Sequence, residues 1–388
     1  MVKKLKMGMV GGGQGSFIGD VHRKAAAIDG MIELVCGAFS SDPVRSLASA
    51  ETLGISKNRA YGNFEEMITT EASLPKEERM DFVAIVTPNH MHFPPAKMAL
   101  ENGFHVICDK PLSLNLEEAY ELQKIVEKSG KVFALTHNYT GYPMVKQARE
   151  MIKRGDLGKI RKVNVQYLQG WLATSVEKTN NKQASWRVDP SKSGIGGALG
   201  DIGTHAENLM RYITGLEIEE LAADLGVFGE GRVLDDDGNL LLRLQGGAKG
   251  TMSISQIALG EENNLGIKVY GTKGSLQWFQ ENPNELNVHW LDKPKQIYTP
   301  KGAGTYPQAS NYVRIPAGHP EGYLEAFATI YRSFAKELIK IANGEAKSKS
   351  YDFPTVSDGL RGMQFIYAAV ASNEANAGWV KLKELESF

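Results

Sequence analysis

A lysine stands directly after an apolar run in the stretch VICDKPLSL, residues 106–114. Asp109 and Lys110 end the run, and Pro111 disfavours helical geometry at the lysine. A charged pair at the edge of a buried strand costs desolvation energy unless something pairs it or uses it. One interpretation is a strand-end ion pair of Asp109 with Lys110 at the surface. The other is an ammonium that stabilises developing negative charge or relays a proton.

A second set of polar residues recurs at helical spacing in GDIGTHAENLMRYITG, residues 200–215. Apolar residues at steps of four, three and four predict one buried helical stripe. These apolar residues are Ile202, Ala206, Leu209 and Ile213. Asp201, His205 and Asn208 lie on the adjoining face, where the acid and the imidazole are neighbours. They form either a solvated surface pair or a functional pair, in which the imidazole accepts a proton and the carboxylate orients it or binds a ligand.

The glycine-rich stretch GGGQGS, residues 11–16, follows the first apolar run. Gly11 and Gly13 fit the first two positions of a G-x-G-x-x-G fingerprint, and Ser16 replaces the third glycine. Residues without Cβ let a pyrophosphate approach the backbone at a helix N-terminus. A purely structural turn is the alternative, but the position before a series of alternating strands and helices favours dinucleotide binding. The predicted contacts in this loop are Gly11, Gly13, Gln14, Gly15, Ser16 and Phe17.

The end of the second apolar run, AFSSDPVR at residues 38–45, is where such a fold reads the ribose. An acid there would bind the ribose hydroxyls, and an arginine would accommodate a 2'-phosphate. Ser40 and Ser41 replace the acid, and the alternative role of Asp42 is to cap the next helix. Because no Arg or Lys adjoins the serines, the sequence favours NAD, with NADP as the alternative. Ser40, Ser41 and Arg45 are the predicted contacts.

Strands and helices alternate up to about residue 137, and the pattern then changes. Alternation predicts a doubly wound parallel sheet of the α/β class. Beyond that point, segments such as KVNVQYLQ alternate apolar and polar residues, as in a sheet with one buried face. We therefore predict a dinucleotide-binding Rossmann domain over residues 1–137. Residues 138–388 are predicted to form an α+β domain for substrate binding and oligomerisation, with a large, mostly antiparallel sheet and C-terminal helices.

Composition narrows the partners and the location. The 388 residues are 42% hydrophobic and carry a formal net charge of -1, so neither nucleic acid nor an anionic membrane surface is an expected partner. Two cysteines cannot form a disulfide framework in a chain of this length, and no segment resembles a signal peptide or a membrane span. The expected location is the cytoplasm. No metal site is expected, since His90 and His92 have no third ligand in view.

Five motifs in order resemble the Gfo/Idh/MocA family of NAD(P)-dependent oxidoreductases, which includes glucose-fructose oxidoreductase and inositol dehydrogenases. The resemblance covers nearly the whole chain and rests on GMVGGGQGS, VTPNHMH, VICDKPLSL, THNY and SGIGGALGDIGTH. The third motif is similar to the family's Glu-Lys-Pro segment, with Asp109 in place of Glu. By this resemblance Lys110, Asp201 and His205 are the catalytic residues, with Asp201 also binding the substrate.

The resemblance implies further contacts. Trp186 and Arg187 resemble a loop that other members fold over the site, and the loop after DFVAIV contacts the cofactor in the family. The additional predicted cofactor contacts are Thr87, Pro88, Asn89, His92, Asp109, Lys110, Asn138, Trp186 and Arg187. The predicted substrate contacts are Lys110, Tyr139, Arg187, Asp201, His205 and His319, the last of which has the alternative role of starting a helix.

The implied activity is hydride transfer between a nicotinamide cofactor and a sugar, inositol or related polyol. The basic loop at residues 177–194 consists either of solvated charges or of a site for an anionic group on the substrate, through Lys178, Lys182, Arg187 and Lys192. An NAD-dependent glycosidase is one alternative, acting by transient oxidation, elimination, water addition and re-reduction. A non-catalytic dinucleotide sensor is another, although a sensor needs no proton acceptor. The resemblance also implies a homodimer or homotetramer, in which a second copy covers the exposed sheet face of the second domain.

Overall fold

The computed structural model describes residues 4–179 and 181–382, and the chain divides into two compact units. The first unit comprises Met1–Asn138 and Tyr323–Leu360, and the second comprises Tyr139–Gly322 and Arg361–Phe388. The predicted second domain was one continuous segment, residues 138–388. The structure instead groups Tyr323–Leu360 with the first unit.

The first unit contains a five-stranded sheet in which all neighbouring strands are parallel, with the order β2-β1-β3-β4-β5. Its strands are β1 (Leu5–Gly11), β2 (Ile32–Ala38), β3 (Phe82–Val86), β4 (His105–Cys108) and β5 (Phe133–Leu135). The helices between them are α1 (Phe17–Ile28), α2 (Pro43–Thr52), α3 (Phe64–Ser73), α4 (Phe93–Glu101) and α5 (Leu116–Ser129). The predicted doubly wound sheet is confirmed. Because the strand order reverses between β1 and β3, the ligand crevice of such a sheet lies beyond their carboxyl ends.

The second unit contains a nine-stranded sheet with the order β13-β12-β11-β10-β6-β9-β8-β7-β14. Its neighbours are antiparallel except β6 and β9, which run parallel, so the predicted mostly antiparallel sheet is confirmed. The strands are β6 (Ile160–Leu168), β7 (Ile218–Gly226), β8 (Asp237–Leu244), β9 (Lys249–Ser255), β10 (Asn264–Gly271), β11 (Gly274–Phe279), β12 (Leu286–Trp290), β13 (Gln296–Tyr298) and β14 (Val380–Lys381). The remaining helices of the chain are α6 (Pro143–Lys153), α7 (Lys182–Arg187), α8 (Pro190–Ser193), α9 (Thr204–Thr214), α10 (Pro307–Ser310), α11 (Tyr323–Ala342) and α12 (Val356–Glu374).

Helix α11 accounts for the different domain boundary. Its apolar residues, including Phe327, Tyr331 and Phe334, belong to the same buried cluster as side chains of α1, β1 and β3. The rings of Phe334 and Phe82 are 5.1 Å apart in an edge-to-face arrangement. Burial of these large side chains stabilises the first unit, since each fully buried aromatic or aliphatic side chain contributes about 1.5–3 kcal/mol. Helical periodicity predicts that α11 has an apolar face but not which sheet it covers.

Several local features agree with the sequence. The carbonyl end of α5 is closed by Gly130 in the left-handed conformation (φ 63°), as a glycine C-cap requires. All four residues of the predicted stripe are buried: Ile202 in the turn before α9, and Ala206, Leu209 and Ile213 on α9 itself. Within the described ranges, none of the helices is both long and apolar enough to cross a membrane.

Candidate active site

The loop after β1 forms a cradle that requires glycine. Gly11 has a φ of 78°, and a Cβ there would lie 2.3 Å from the Val86 carbonyl oxygen at the end of β3. A Cβ on Gly13 would lie 2.7 Å from the Phe39 carbonyl oxygen. Ser16 caps α1 by accepting a hydrogen bond from the amide of Gly19. The loop therefore packs closely on the ends of β3 and β2 and leads into a helix N-terminus, where phosphate oxygens find N–H donors.

The third glycine of this cradle is Gly19, which the sequence analysis missed. A Cβ at this position would lie 2.4 Å from both the Cα and the carbonyl oxygen of Gly12. Close packing of the first helix on the loop is the role of the third glycine in the fingerprint. The assignment of Ser16 to that position is therefore corrected: Ser16 is the N-cap, and the close-packing glycine lies three residues later. The extra spacing concealed it, although a glycine within a helical pattern was a signal.

Substituting Gly19 by alanine should weaken both the first unit and its dinucleotide binding. The methyl group would overlap backbone atoms, and overpacking of this kind typically costs about 1–3 kcal/mol. We expect a lower melting temperature and weaker NADH binding in a fluorescence titration. Gly62→Ala is the matched control, because a Cβ there lies 3.4 Å from its nearest neighbour, Pro43 Cβ. Equal behaviour of the two variants would show that Gly19 is not required for close packing.

Other predicted cofactor residues in this loop differ in their surroundings. The side-chain Nε2 of Gln14 donates to Thr52 Oγ1 (2.7 Å), and the main-chain amide of Gln14 donates to Ser49 Oγ (3.1 Å). Gln14 is therefore bonded to α2. Phe17, the first residue of α1, is exposed. Gly15 has a φ of 77° with open space on its Cβ side. These contacts stay predictions.

The end of β2 shows that Asp42 is a helix cap. Its Oδ1 accepts hydrogen bonds from the amides of Val44 (2.9 Å) and Arg45 (3.2 Å) at the start of α2. The amide of Asp42 in turn donates to Ser40 Oγ (3.2 Å). The capping role considered from the sequence is therefore confirmed. Ser41 and Arg45 are exposed beside it, in the position predicted for reading the ribose.

His92 ties together the loops that follow β3 and β4. Its Nε2 lies 2.9 Å from the Thr87 carbonyl oxygen, and its Nδ1 lies 2.6 Å from the Pro111 carbonyl oxygen. Burial lowers the pKa of His92, although nearby Asp109 and the two carbonyls oppose this shift. Both ring nitrogens face backbone, so the predicted cofactor contact by His92 is replaced by a role in holding the loops. Thr87 also donates its hydroxyl to the Met91 carbonyl (2.9 Å), and Pro88 and buried Asn89 belong to this turn.

Lys110 is a half-buried residue just beyond the end of β4. Its main-chain amide donates to Asp109 Oδ1 (3.0 Å), and the same oxygen accepts the Thr136 hydroxyl (2.8 Å) from beyond β5. Asp109 thus fixes the main chain at the carboxyl edge of the sheet, where a dinucleotide fold binds its ligand. The acid is a structural anchor for the lysine backbone as well as a neighbouring charge.

Asn138 adds an unused donor to this first unit. The residue is 1% exposed, and its side-chain Nδ2 has no hydrogen-bond partner among the described residues. A buried donor without a partner is costly and indicates a missing acceptor. Together with the glycine cradle, it shows that the residues present fit a dinucleotide, whose polar atoms would satisfy such a donor.

In the second unit, Asp201 lies in a π-helical turn, Leu199–Gly203, that leads directly into α9. Single π turns are frequent at functional sites. The buried carboxylate of Asp235 stabilises the start of this turn, because it accepts hydrogen bonds from the main-chain amides of Gly197 (2.7 Å) and Leu199 (2.6 Å). Burial raises the pKa of Asp235 to about 6 despite these bonds. The regular helix predicted from spacing therefore starts later than expected, at Thr204.

Two side chains hold the Asp201 carboxylate through one oxygen. Arg187 Nε and Gln256 Nε2 donate to Asp201 Oδ2 at 3.0 Å and 2.9 Å. Arg187 also donates to the Gln183 carbonyl oxygen (3.0 Å) and lies 4.3 Å above the Trp186 ring. Arg187, predicted to contact cofactor and substrate, is thus a partner of Asp201. Gln256, just after β9, was not predicted, because its spacing from Asp201 carries no local signal.

His205 is buried against two tyrosines of the same unit. The Tyr139 ring lies 4.8 Å from the imidazole at 75°, and the Tyr167 ring lies 6.2 Å away. The two phenol oxygens are 2.5 Å apart, and Tyr167 donates to Asn263 Oδ1 (2.8 Å). Burial raises the pKa of Tyr139, so this phenol keeps its proton. Tyr139 and His205 are therefore neighbours, and their substrate contacts stay predictions; Tyr167 and Asn263 beside them were not predicted.

The remaining predicted residues of the second unit have local partners. His319 is exposed, its Nδ1 lies 3.2 Å from the Pro316 carbonyl oxygen, and the next helix begins only at Tyr323. In the basic loop, Lys192 pairs with Asp189 (2.8 Å) and Lys178 approaches Glu230 (3.9 Å). Asn180 of this loop lies outside the described residues. Three of the four loop cations, counting Arg187, therefore have carboxylate partners within the chain.

Taken separately, the first unit has a Rossmann-type parallel sheet and the second a large, mostly antiparallel sheet. Residues 5–137 match the oxidoreductase family with an NAD-binding Rossmann fold, and residues 145–277 match the GFO/IDH/MocA C-terminal domain. The chain belongs to the Gfo/Idh/MocA family. It is therefore an NAD(P)-dependent oxidoreductase, as the sequence analysis predicted.

Individual relatives agree with this assignment. The uncharacterised oxidoreductase YfiI of Bacillus subtilis is 34% identical over 386 residues, covering 98% of each chain. Levoglucosan dehydrogenase of Pseudarthrobacter phenanthrenivorans is 29% identical over 419 residues, covering 100% of each. An inositol dehydrogenase homolog from Azotobacter vinelandii complexed with NAD+ superposes with a TM-score of 0.94 at 34% identity, with 98% of each chain covered. A second structure of that homolog, with NADH and myo-inositol, has a TM-score of 0.90 at 33% identity and the same coverage.

Proposed function

We propose that the protein transfers a hydride between NAD and a carbon that bears a hydroxyl group in a sugar, an inositol or a related polyol. The observation that carries the proposal is the Asp201 carboxylate, which Arg187 and Gln256 hold at the entrance to the helix of His205. Relatives support the substrate class, since one was solved with NADH and myo-inositol and another is a levoglucosan dehydrogenase. A screen of polyols and glycosides identifies the particular substrate.

The chain's own residues divide the work of alcohol oxidation. When bound, NAD would supply the hydride acceptor, and the glycine cradle and Asn138 would hold it. The imidazole of His205 accepts the proton of the substrate hydroxyl, and the Asp201 carboxylate orients that hydroxyl. The ammonium of Lys110 stabilises the negative charge that develops on the substrate oxygen. Reduction of the corresponding carbonyl uses the same groups in reverse.

The charges of the basic loop favour a neutral substrate. A cation that is already paired with a carboxylate has less capacity to attract a phosphate or carboxylate on the substrate. Arg187 is paired with Asp201, and Lys192 with Asp189. The anionic substrate considered from the sequence is therefore the less favoured version of this proposal.

A screen of polyols and glycosides tests the function. The purified enzyme is incubated with NAD and, in parallel, myo-inositol, levoglucosan, phosphorylated sugars and chromogenic glycosides, while NADH and released aglycone are followed together. The expected result is stoichiometric NADH with a neutral polyol and no aglycone. Aglycone release with no net NADH would replace the proposal by the glycosidase alternative. NADH binding without turnover on any compound would favour the dinucleotide sensor.

The cofactor preference is a separate prediction. Because the Asp42 carboxylate caps α2 beside Ser40 and Ser41, negative charge adjoins the position of a 2'-phosphate, and NAD should bind at least as tightly as NADP. Fluorescence titration with NADH and NADPH measures the two dissociation constants. A clear preference for NADPH that disappears in Arg45→Ala would show that Arg45 reaches the phosphate and would contradict the prediction.

The assembly and the location complete the proposal. The outer face of the nine-stranded sheet exposes Leu241, Tyr270 and Trp379 in part, around a polar centre in which Thr251 bonds Asn164 (3.1 Å). Covering such a face by a second copy gives the homodimer or homotetramer expected from the sequence. Sedimentation equilibrium of the wild type and of Leu241→Lys measures the oligomeric state, and we expect the variant to dissociate.

The proposed location is the cytoplasm, where the buried free thiols of Cys36 and Cys108 would stay reduced.

A further inference from the structure

Three polar side chains of the first unit lie close together: His22, Tyr331 and Asp109, which anchors the main chain of Lys110. His22 and Tyr331 have no role in the proposed reaction. Helix α1 contributes His22, α11 contributes Tyr331, and Asp109 follows β4. His22 Nδ1 lies 2.8 Å from Tyr331 Oη, and His22 Nε2 lies 4.0 Å from Asp109 Oδ1. His22 and Tyr331 are almost completely buried. Buried polar groups in contact with a functional loop need an explanation, because an apolar pair would pack there at lower cost.

The charge states of these groups follow from their surroundings. Burial lowers the pKa of His22; Asp109 opposes this, while Arg23 and His92 lower the pKa further. The imidazole is therefore neutral, with one N–H and one lone pair. Burial raises the pKa of the Tyr331 phenol well above its usual value, and the charge of Asp109 adds to this. Tyr331 thus keeps its proton and has a hydrogen to donate.

Two tautomers of His22 are compatible with the bond to Tyr331, and Asp109 discriminates between them. If Nδ1 carried the hydrogen, the lone pair of Nε2 would face the Asp109 carboxylate inside the protein. If Tyr331 donates to Nδ1, the hydrogen lies on Nε2 and faces that carboxylate instead. Nε2 has no other hydrogen-bond partner in the part of the chain that the structure describes. The second arrangement is favoured, because opposite partial charges then face each other at 4.0 Å.

Asp109 connects His22 to the main chain of Lys110 through a single carboxylate oxygen. Its Oδ1 already accepts the amide of Lys110 and the hydroxyl of Thr136 at 3.0 Å and 2.8 Å. The Nε2–H group of His22 approaches the same oxygen from α1, and a movement of about 1 Å would give an ordinary hydrogen bond. All three donors converge on one carboxylate oxygen, so the orientation of Asp109 determines how it accepts from the lysine backbone.

We propose that Tyr331 and His22 are positioning residues: Tyr331 fixes the Nε2–H tautomer of His22, which orients Asp109 and through it the main chain at Lys110. This inference rests on the proposed catalytic role of Lys110 for its effect on turnover. The tautomer itself is independent of that role. This series of contacts from Tyr331 through His22 to Asp109, called the relay below, also explains what α11 contributes to the first unit besides apolar surface.

The first test reads the tautomer without any substrate. Protein labelled with 15N-histidine contains eight imidazoles, and His22→Gln identifies the signal of His22 by its loss in long-range 15N–1H correlation spectra. The expected result at neutral pH is the Nε2–H tautomer in the wild type and a mixture of tautomers in Tyr331→Phe. An Nδ1–H tautomer or an imidazolium in the wild type would overturn the proposal. This outcome is readable even if the polyol screen finds no turnover.

The second test reads the effect on Lys110. Tyr331→Phe keeps the ring and removes the donor, and loss of an outer-shell partner typically costs roughly 10–100-fold in activity at metal sites. We expect a fall in kcat of about tenfold, with the NADH dissociation constant and the melting temperature nearly unchanged. Tyr351→Phe, in which the ring stacks on Phe353 in the same unit, is the matched control and should retain the wild-type kcat.

A pair of His22 variants keeps the test valid if Tyr331→Phe is disturbed in its folding. His22→Gln retains a side-chain N–H donor, whereas His22→Leu has none. The proposal expects His22→Gln to recover several times the kcat of His22→Leu at equal KM for NAD. Equal kcat values in the two variants, or an unchanged kcat in Tyr331→Phe together with an altered tautomer, would show that the relay does not act on Lys110.

Discussion

Replacing Lys110 by methionine should lower kcat by roughly 10²–10⁴-fold, the range typical for the loss of a group that handles a proton or a developing charge. Methionine keeps a flexible apolar stem of similar length but has no ammonium. The main-chain bond from residue 110 to Asp109 Oδ1 does not depend on the side chain, so the loop after β4 should keep its course. Steady-state turnover on the polyol found by the screen measures the loss, and NADH fluorescence titration measures whether the dinucleotide still binds.

Lys97→Met provides the matched control for this variant. Lys97 lies on α4 of the same unit and pairs with Glu121 (2.6 Å) on α5, with both side chains partly exposed. An exposed ion pair contributes little to stability, so turnover should stay at the wild-type level. If Lys110→Met turned over as fast as Lys97→Met, Lys110 would have no part in the reaction.

Replacing His205 by glutamine should have a comparable effect in the second unit. Glutamine can donate and accept hydrogen bonds but cannot take up a proton, so a fall in kcat of roughly 10²–10⁴-fold is expected if the imidazole is the proton acceptor. The glycine cradle belongs to the other unit, so affinity for NADH should change little. Steady-state kinetics at saturating NAD separates kcat from the KM of the polyol.

The control for this variant is His289→Gln, because His289 is an exposed residue of β12 in the same unit. Its kcat and KM should equal those of the wild type. Should His205→Gln raise only the KM of the polyol and leave kcat intact, His205 would bind the substrate without accepting its proton.

The sequence predicted those features of the fold that depend on nearby residues. The cap of α2 by Asp42 follows from local backbone requirements. The buried stripe from Ile202 to Ile213 follows from helical periodicity, which was strong enough to define the buried face. The parallel sheet followed from the alternation of strands and helices, and the mostly antiparallel sheet followed from the alternation of apolar and polar residues.

Other features depend on partners far away in the chain. Strand β7, IEELAADLG, is rich in residues that favour helices, yet it pairs with β8 and β14 because the sheet supplies partners on both sides. Gln256 reaches Asp201 across 55 residues of sequence, a separation without any local pattern. The position of α11 in the first unit likewise depends on which apolar surface it covers.

In the candidate site, too, some features follow from nearby residues and others depend on partners far away in the chain. Lys110 follows a strand whose parallel pairing was predictable, so its place at the carboxyl edge was predictable too. The π turn at Asp201 depends on the carboxylate of Asp235, 34 residues later, which accepts two amides at the start of the turn. Arg187, an expected ligand contact, also pairs with Asp201, which its spacing in the sequence did not indicate. Such long-range hydrogen bonds decide what a polar side chain is available to do.

Transfer of deuterium from the substrate to the nicotinamide tests the central claim most directly. The polyol identified by the screen is prepared with deuterium at the carbon that is oxidised, and the enzyme is given equimolar NAD. Mass spectrometry of the isolated cofactor and of the product follows the label. The account predicts one deuterium in each NADH formed and a ketone that has lost it. Deuterium that stays in the carbohydrate, or exchanges with water while the NAD pool stays oxidised, would contradict the assignment as a dehydrogenase.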